Sequence, residues 1–214
     1  MYDSYREQGN GTRMMTVIGE GNLSVEPDTA SVELDVVTEN ESLSLAQQEN
    51  AVIMTQVIQA LIQLGIPREH LQTTTYNIRP TYDYVDGQQV FRNYQVVNGL
   101  TVTIKNLNQV GQAIDVAVEN GVNRVSNIEL TVENPNVLYQ RSLNKALQDA
   151  QLKAQTIART FNVNVDLIPV KVIELNIDRD RPFTAFASVQ GATTTPIEPG
   201  QLVIVAKVEA QFQY

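Results

Sequence analysis

The single histidine, His70, carries the side chain best suited to proton transfer near neutral pH. A Ser-His-Asp arrangement would have to use it, yet no G-x-S-x-G segment accompanies it. We therefore expect His70 to be solvated or to cap the turn in which it lies. The chain has no cysteine and no second histidine, so the usual zinc sites cannot form within one chain. These absences predict a protein that is not an enzyme and that holds no metal or cofactor.

The segment Gly19-Glu20-Gly21 contains two of the three glycines of a nucleotide-binding loop. The third glycine is missing from the residues that follow, and no helix begins there, so phosphate binding is a weak hypothesis. Glycine within a strand more often marks a bulge or a close approach of another main chain. We expect a bulge or a close approach at this point, and a neighbouring strand is one candidate partner for a close approach.

Three closely spaced carboxylate pairs offer the oxygen ligands that hard cations prefer. None of the pairs has the ligand count of a calcium loop, and one of them alternates with two arginines that neutralise it. Solvated charged loops are therefore the favoured interpretation. The pairs are Glu26/Asp28, Asp83/Asp86 and Asp178/Asp180.

Aromatic residues cluster in one predicted hairpin. The chain has 8 tyrosines and 5 phenylalanines, and five of these rings lie between residues 76 and 94. The rings either pack against a helix or form a contact surface, since tyrosine is enriched where one protein binds another. The candidate contacts for an oligomer or a partner are Tyr76, Tyr82, Tyr84, Phe91 and Tyr94.

The elements that position these residues follow from the spacing of apolar side chains. Alternation with period two predicts strands, and spacing by three and four predicts helices that end at glycines or begin at Asn134-Pro135. The predicted strands are 15–25, 30–36, 71–84, 90–104, 128–132, 168–177 and 202–214, and the helices are 44–64, 107–120 and 135–161. We expect the first two strands to pair with each other.

The predicted order is β-β-α-β-β-α-β-α-β-β, which indicates an α+β fold with antiparallel sheet packed by helices. Its β-α-β-β-α-β stretch has the order of a ferredoxin-like unit. Residues 1–13 are polar and are predicted to form a flexible tail. Residues 14–214 then form one domain, or alternatively two lobes, 14–105 and 106–214. The loop 178–200 is long enough to be functional.

The third helix is predicted to have two stripes. Apolar residues recur at helical spacing and should face the core, namely Leu143, Leu147, Ala150, Ala154, Ile157 and Phe161. Arg141, Lys145, Asp149 and Lys153 follow one another at four-residue steps and should form a solvated face.

Composition argues against two classes of partner. The formal net charge is −9 and the isoelectric point is near 4.6, and both oppose binding to nucleic acids or anionic membranes. No apolar run is long enough to span a bilayer. The opening residues do not form a signal peptide, so cytoplasmic localisation is the default expectation. A periplasmic or other extracytoplasmic location is the alternative if a signal has been removed.

Several short segments become informative through their order and spacing. They are Val17-Ile18-Gly19-Glu20-Gly21, Pro27-Asp28 with Ala30, Leu64-Gly65-Ile66, Leu71-Gln72-Thr73, Tyr82, Tyr94, Gly121-Val122-Asn123, Ala146, Asp149-Ala150, Lys153-Ala154 and Pro199-Gly200. Together they resemble the SIMPL-domain family, which includes bacterial oxidative-stress defence proteins and a periplasmic immunogenic protein. The resemblance covers nearly all of residues 14–214. One departure follows the third helix, where this chain has Asn162 and Asn164 instead of glycines.

The resemblance implies an α+β fold, large ring or channel-like oligomers in some members, and no established catalytic residues. It also implies a stress-related role in some members, and in an animal relative the domain is linked to signalling through a kinase partner. We therefore expect a self-assembling domain in which the aromatic hairpin and residues 178–200 supply contacts between subunits. The alternative is an adaptor that binds a partner protein or a small ligand.

Overall fold

The computed structural model describes residues 13–175 and 195–214, together with the main chain of Pro182 and Phe183. These residues pack into two compact units. The terminal unit contains residues 13–25, 134–175, 182–183 and 202–214, and the central unit contains residues 26–133 and 195–201. Lys105 and Asn106, which flank the boundary of the two-lobe alternative, both lie in the central unit. The tail predicted for residues 1–13 lies outside the described residues apart from Arg13.

The order of elements confirms the α+β class. The two-residue strand β7 and two 3₁₀ turns were not predicted from the apolar pattern. In chain order the elements are β1 Met14–Val25, β2 Thr29–Asn40, α1 Leu43–Gln63, β3 Leu71–Val85, β4 Gln88–Ile104, α2 Val110–Glu119, β5 Arg124–Thr131, α3 Pro135–Thr160, β6 Lys171–Leu175, β7 Pro182–Phe183 and β8 Gln201–Gln213, with single 3₁₀ turns at Arg68–His70 and Leu107–Gln109.

The central unit has the ferredoxin-like topology that its element order predicted. Its sheet has the strand order β3-β4-β2-β5, with antiparallel pairs throughout. The even-numbered side chains of β2 and β4 face α1 and α2 and form the apolar core. The odd-numbered side chains, Asp35 among them, face the opposite side of the sheet.

The pairing predicted between β1 and β2 is wrong. β1 pairs with β8 from Met14↔Gln213 to Val25↔Leu202. The two edges of β2 are already occupied by β4 and β5, so β2 has no free edge for a further strand. The sheet of the terminal unit therefore has the order β1-β8-β6, with β7 also paired to β8.

The buried face of α3 includes Ala150 and Ala154, as predicted, but differs from the prediction elsewhere. Leu143 and Leu147 only flank the core, and Phe161 is 72% exposed. Small side chains form the buried stripe because the helix lies unusually close to β1. The stripe consists of Ser142, Ala146, Ala150, Ala154 and Ala158.

The close approach predicted for Gly19 and Gly21 is confirmed, but its partner is a helix rather than a strand. A Cβ added at Gly19 would overlap the carbonyl oxygen of Ala146, and one added at Gly21 would overlap that of Ser142. Both glycines therefore face the main chain of α3, where no other residue type has room.

Candidate functional site

The five aromatic residues predicted as contacts lie on one face of the β3–β4 hairpin. Cross-strand partners share a face, and residues two apart along a strand share a face. The register pairs Tyr76 with Asn98, Pro80 with Tyr94, Tyr82 with Phe91 and Tyr84 with Gln89. We call this surface the aromatic face, which contains Tyr76, Tyr82, Tyr84, Phe91 and Tyr94.

Much of the aromatic face extends beyond the sheet that supports it. The pairing between β2 and β4 ends at Asn40↔Tyr94. From Thr81 to Asn93 the hairpin therefore pairs only with itself and forms a two-stranded ribbon. Asp86 and Gly87 close the ribbon with φ values of 50° and 79°, as the predicted Asp-Gly turn requires.

Three rings form a continuous row along the ribbon. Tyr82 and Phe91 meet edge to face with their centroids 6.2 Å apart, and Phe91 and Tyr94 are 5.1 Å apart. A register shift after Thr81 makes this row possible, because it leaves Arg92 without a cross-strand partner. At the tip, the hydroxyl of Tyr84 accepts a hydrogen bond of 2.7 Å from Gln89 Nε2.

The rings are exposed rather than buried beneath a helix. Exposure is 72% for Tyr84, 52% for Tyr76, 47% for Tyr82 and 43% for Phe91, while Tyr94 is half-buried. A short row of large exposed apolar side chains is typical of a surface that binds another molecule. Of the two interpretations left open by the sequence, the exposed contact surface agrees better with this geometry.

The opposite face of the ribbon carries charged and polar groups together with two exposed valines, Val85 and Val90. Arg92 and Asp83 form an exposed ion pair at 3.6 Å. Glu39 accepts hydrogen bonds from Gln95 Nε2 (2.7 Å) and Asn93 Nδ2 (3.0 Å), and these two bonds hold its pKa below the usual range. The hairpin thus has one aromatic face without charge and a second face on which charged groups lie.

The free edge of β3 is poorly suited to adding a further strand. Pro80 lacks an N–H group, and the register shifts near Thr73 and Tyr82 make the strand irregular. Proline and bulges are devices that keep edge strands from pairing with other chains. Any association at this hairpin is therefore expected to use the aromatic face.

The structure also shows where the other residues considered for chemistry lie, namely His70 and the carboxylate pairs. His70 lies in the 3₁₀ turn, where its main-chain N–H donates to Pro67 O. Asp28 Oδ1 accepts hydrogen bonds from Glu133 N (2.7 Å) and Thr29 Oγ1 (2.9 Å). Within residues 13–175 and 195–214, no three His, Asp or Glu side chains gather as a metal site would require. The Asp178/Asp180 pair lies outside the described residues.

The loop predicted to contact other subunits is described only from Thr195. Thr195 bonds to the carboxylate of Asp115 on α2 through both its N–H (3.2 Å) and its hydroxyl (2.6 Å). Ile197 packs against the core of the same unit. Residues 195–197 are thus fixed within the central unit, and residues 178–194 lie outside the described part apart from the main chain of Pro182 and Phe183.

Asn123 has a structural role that the sequence pattern did not reveal. Its side chain accepts from Val37 N (2.9 Å) and donates to Val37 O (2.7 Å). The ladder between β2 and β5 ends at Asp35↔Arg124, so the Asn123 amide acts as one further residue of that ladder. The Gly121-Val122-Asn123 segment pointed to the position without indicating the role.

We predict that Asn123→Ala lowers the free energy of unfolding by about 1–3 kcal/mol, because it leaves both main-chain groups of Val37 without these partners. Urea unfolding followed by circular dichroism measures the change. Asn108→Ala is the control, since Asn108 is exposed and its side chain makes no hydrogen bond to another described residue. Equal stability of the Asn123 variant and the parent would contradict the role.

Asp35 is the buried carboxyl group on the sheet face opposite α1. Burial raises its pKa, the negative charge of Glu33 raises it further, and Arg124, 3.7 Å away, lowers it. Because the pKa of Asp35 is higher in the folded state than in the unfolded state, protonation of Asp35 stabilises the fold. This contribution to the free energy of unfolding is complete at pH values below the unfolded-state pKa and is lost as pH rises through the folded-state pKa.

We therefore predict that Asp35→Asn raises stability near pH 7 and that this gain shrinks as pH falls through the folded-state pKa toward the unfolded value. Thermal unfolding between pH 3 and pH 8 measures the difference. Glu129→Gln is the control, because Glu129 is an exposed carboxylate of the same sheet and is not among the charges that shift the pKa of Asp35. A gain in stability that does not change with pH would contradict a raised pKa for Asp35 in the folded state.

The two sheets, each with helix packed on a face, define a two-unit α+β protein in which the described residues assemble no recognised catalytic centre. Residues 15–212 match the SIMPL family, described as a protein of unknown function (DUF541). The chain belongs to this family, as the sequence resemblance indicated. No helix in the described ranges is both long and apolar enough to cross a membrane.

Relatives with curated names have bacterial sources. The chain is similar to the 26 kDa periplasmic immunogenic protein of Brucella melitensis, with 31% identity over 167 residues, covering 76% of this chain and 66% of the relative. It is also similar to the uncharacterized protein YggE of Escherichia coli K12, with 23% identity over 168 residues, covering 78% and 68%. The aligned part thus spans 66–68% of the length of these two relatives.

Residues that carry the family resemblance mainly serve the fold. Gly65 and Gly121 end α1 and α2 at positive φ, and the residue after each, Ile66 or Val122, is buried and bonds back to its helix. Gly19 and Gly21 allow the main chain of α3 to pack closely against β1. These structural roles agree with a family that has no established catalytic residues.

Proposed function

We propose that this protein is a non-enzymatic binding module whose copies associate through the aromatic face. The observation that supports the proposal is the row of exposed rings on a ribbon that extends beyond the sheet. Tyrosine and phenylalanine lose little rotamer freedom when they are buried, so they supply contact area at a low entropic cost.

The charge distribution supports a second copy as the partner. The chain carries a net charge of −9, which opposes self-association wherever acidic groups would meet. On the ribbon, the aromatic face is formed by Tyr82, Tyr84, Gln89 and Phe91, none of which is charged. Two copies can therefore bring this face together without opposing carboxylates at its centre.

Size-exclusion chromatography coupled to light scattering tests the proposal. We expect the mass to rise above that of one chain as protein concentration increases from micromolar to millimolar. Moderate salt should strengthen the association, because it screens the net negative charge of each copy. A strict monomer throughout this range would contradict self-association and would favour the adaptor alternative, in which another protein covers the same face.

We further propose an extracytoplasmic location in place of the cytoplasmic default. The support is the name of the Brucella relative, which is a periplasmic protein. Fractionation of the source cells, followed by immunodetection, should recover the protein outside the cytoplasm. Recovery with cytoplasmic markers would contradict this location. A stress-related role stays a prediction that the family resemblance implies.

A further inference from the structure

Within the terminal unit, side chains on one face of α3 form hydrogen bonds to the free edge of β1. β1 is an end strand, and its other edge pairs with β8. Along the free edge, alternate residues bond to charged side chains that the sequence predicted to be simply solvated. The bonds run from Lys153 Nζ to Ile18 O (2.8 Å), from Glu20 N to Asp149 Oδ2 (2.9 Å) and from Lys145 Nζ to Asn22 O (3.1 Å).

The spacing of the two elements explains why three bonds form in succession. Four residues of a helix advance about 6.0 Å, and two residues of a strand advance about 6.6–6.8 Å. Steps of four along α3 therefore keep pace with steps of two along β1, in opposite directions. Gly19 and Gly21 place the helix close enough for its side chains to reach the edge. We call Lys145, Asp149 and Lys153 the edge stripe.

The edge stripe satisfies groups that a further strand would otherwise pair with. Lysine supplies a donor where the strand presents a carbonyl oxygen, and aspartate supplies an acceptor where it presents an N–H. Asp149 is also paired with Lys153 at 2.7 Å, and Lys153 and the N–H of Glu20 hold its pKa below the usual range. The stripe thus occupies the position of a missing edge strand.

We propose that the edge of β1 is a strand-binding site that the edge stripe holds closed, and that its occupant on release is β1 of a second copy. Unpaired edges act as templates for strand pairing, and two antiparallel copies of one strand present the same groups to each other. Glu20, the central acidic residue, is neutralised by Lys207 at 2.7 Å and so does not oppose the pairing.

Comparison with the other described edges explains why β1 needs such a cover. β1 has 12 residues paired to β8 without a register shift. In contrast, β6 has only 5 residues, β5 contains a shift, and β3 contains Pro80. β1 is therefore the described edge best suited to pair with another chain.

The test compares two variants of equal net charge. Lys145→Ala/Asp149→Ala/Lys153→Ala removes two positive charges and one negative charge, while Arg141→Ala removes one positive charge, so each changes −9 to −10. Arg141 lies one step before the stripe and makes no hydrogen bond or ion pair with another described residue, which makes it a matched control. Both variants introduce only alanine, the best helix former, so neither should weaken the helix itself.

In the triple variant at low concentration, we expect hydrogen exchange at the Glu20 amide to speed up by about tenfold or more. At high concentration, light scattering should show a mass above that of the parent at the same concentration, and the same amide should regain protection. Arg141→Ala should behave like the parent in both measurements. A triple variant that keeps the mass of the parent while its edge amide exchanges fast would overturn the proposal.

A second variant keeps the proposal testable if the triple variant unfolds. Lys145→Met/Lys153→Met retains the length of both side chains and the acceptor for Glu20 N, but leaves the carbonyl oxygens of Ile18 and Asn22 without these donors. We expect it to associate more strongly than the parent, with new protection confined to residues 14–25. Association that protects only the aromatic face, or none at all, would overturn the role of the edge stripe.

Discussion

Gly19→Ala and Gly21→Ala are expected to destabilise the protein by about 3 kcal/mol or more each, and the double variant is expected not to fold. At either position the added methyl group would overlap a main-chain carbonyl oxygen of α3, at Ala146 or Ser142. Main chain cannot move aside as a flexible side chain can, so the helix would have to separate from β1.

Urea unfolding followed by circular dichroism measures this effect, since the chain has no tryptophan for fluorescence. Gly65→Ala is the control. Gly65 has a φ of 98° with open space around the position of a Cβ, so its replacement should cost only about 1 kcal/mol from backbone strain. Equal costs at Gly19 and Gly65 would show that close packing of α3 is not what excludes a side chain.

Replacing three rings of the aromatic face is expected to weaken self-association by about 100-fold or more. Interface rings commonly contribute more than 1 kcal/mol each, and 1.4 kcal/mol corresponds to a factor of ten. The variant is Tyr82→Ser/Tyr84→Ser/Phe91→Ser. Its free energy of unfolding should fall by no more than about 2 kcal/mol, because the rings are exposed and mainly contact one another.

Sedimentation equilibrium measures the dissociation constants of the parent and this variant. Leu152→Ser/Phe161→Ser is the matched control, because it removes large exposed apolar side chains from the terminal unit instead. It should associate like the parent. An unchanged dissociation constant for the ring variant would show that the contact surface does not lie on the hairpin.

Local patterns in the sequence were sufficient to predict the aromatic hairpin. The alternation along β3 and β4 and the Asp86-Gly87 turn are short-range signals, and two-residue periodicity places side chains on faces without knowledge of other elements. The positions of Tyr82 and Phe91 within one hairpin could therefore be predicted. Their ring contact depends on the shift at Arg92, which the alternation did not indicate.

Long-range packing was not predictable in the same way. The pairing of β1 with β8 joins opposite ends of the chain, and no feature in the sequence of either strand identifies the strand with which it pairs. The face of α3 was predicted only in part. Ala150 and Ala154 are buried as expected, whereas Ser142, Ala146 and Ala158 were not assigned to this face, since the close approach of Gly19 and Gly21 depends on tertiary packing.

The edge stripe shows a further limit. Its four-residue spacing was visible as a series of charged neighbours, of which Asp149 and Lys153 form an ion pair. Its bonds to β1 were not expected, since they depend on a tertiary arrangement that only the structure reveals. For the same reason, Asn123 was noticed as part of a segment but not as an extension of the ladder beside Val37.

The most direct measurement of the central claim is hydroxyl-radical footprinting of the whole protein at low and high concentration. Tyr84 and Phe161 are both 72% exposed in one copy, so they start from equal accessibility. Association through the aromatic face predicts that Tyr84, Tyr82 and Phe91 lose reactivity as concentration rises, while Phe161 stays reactive. Unchanged reactivity of the three hairpin rings in a sample shown to be oligomeric would contradict the account.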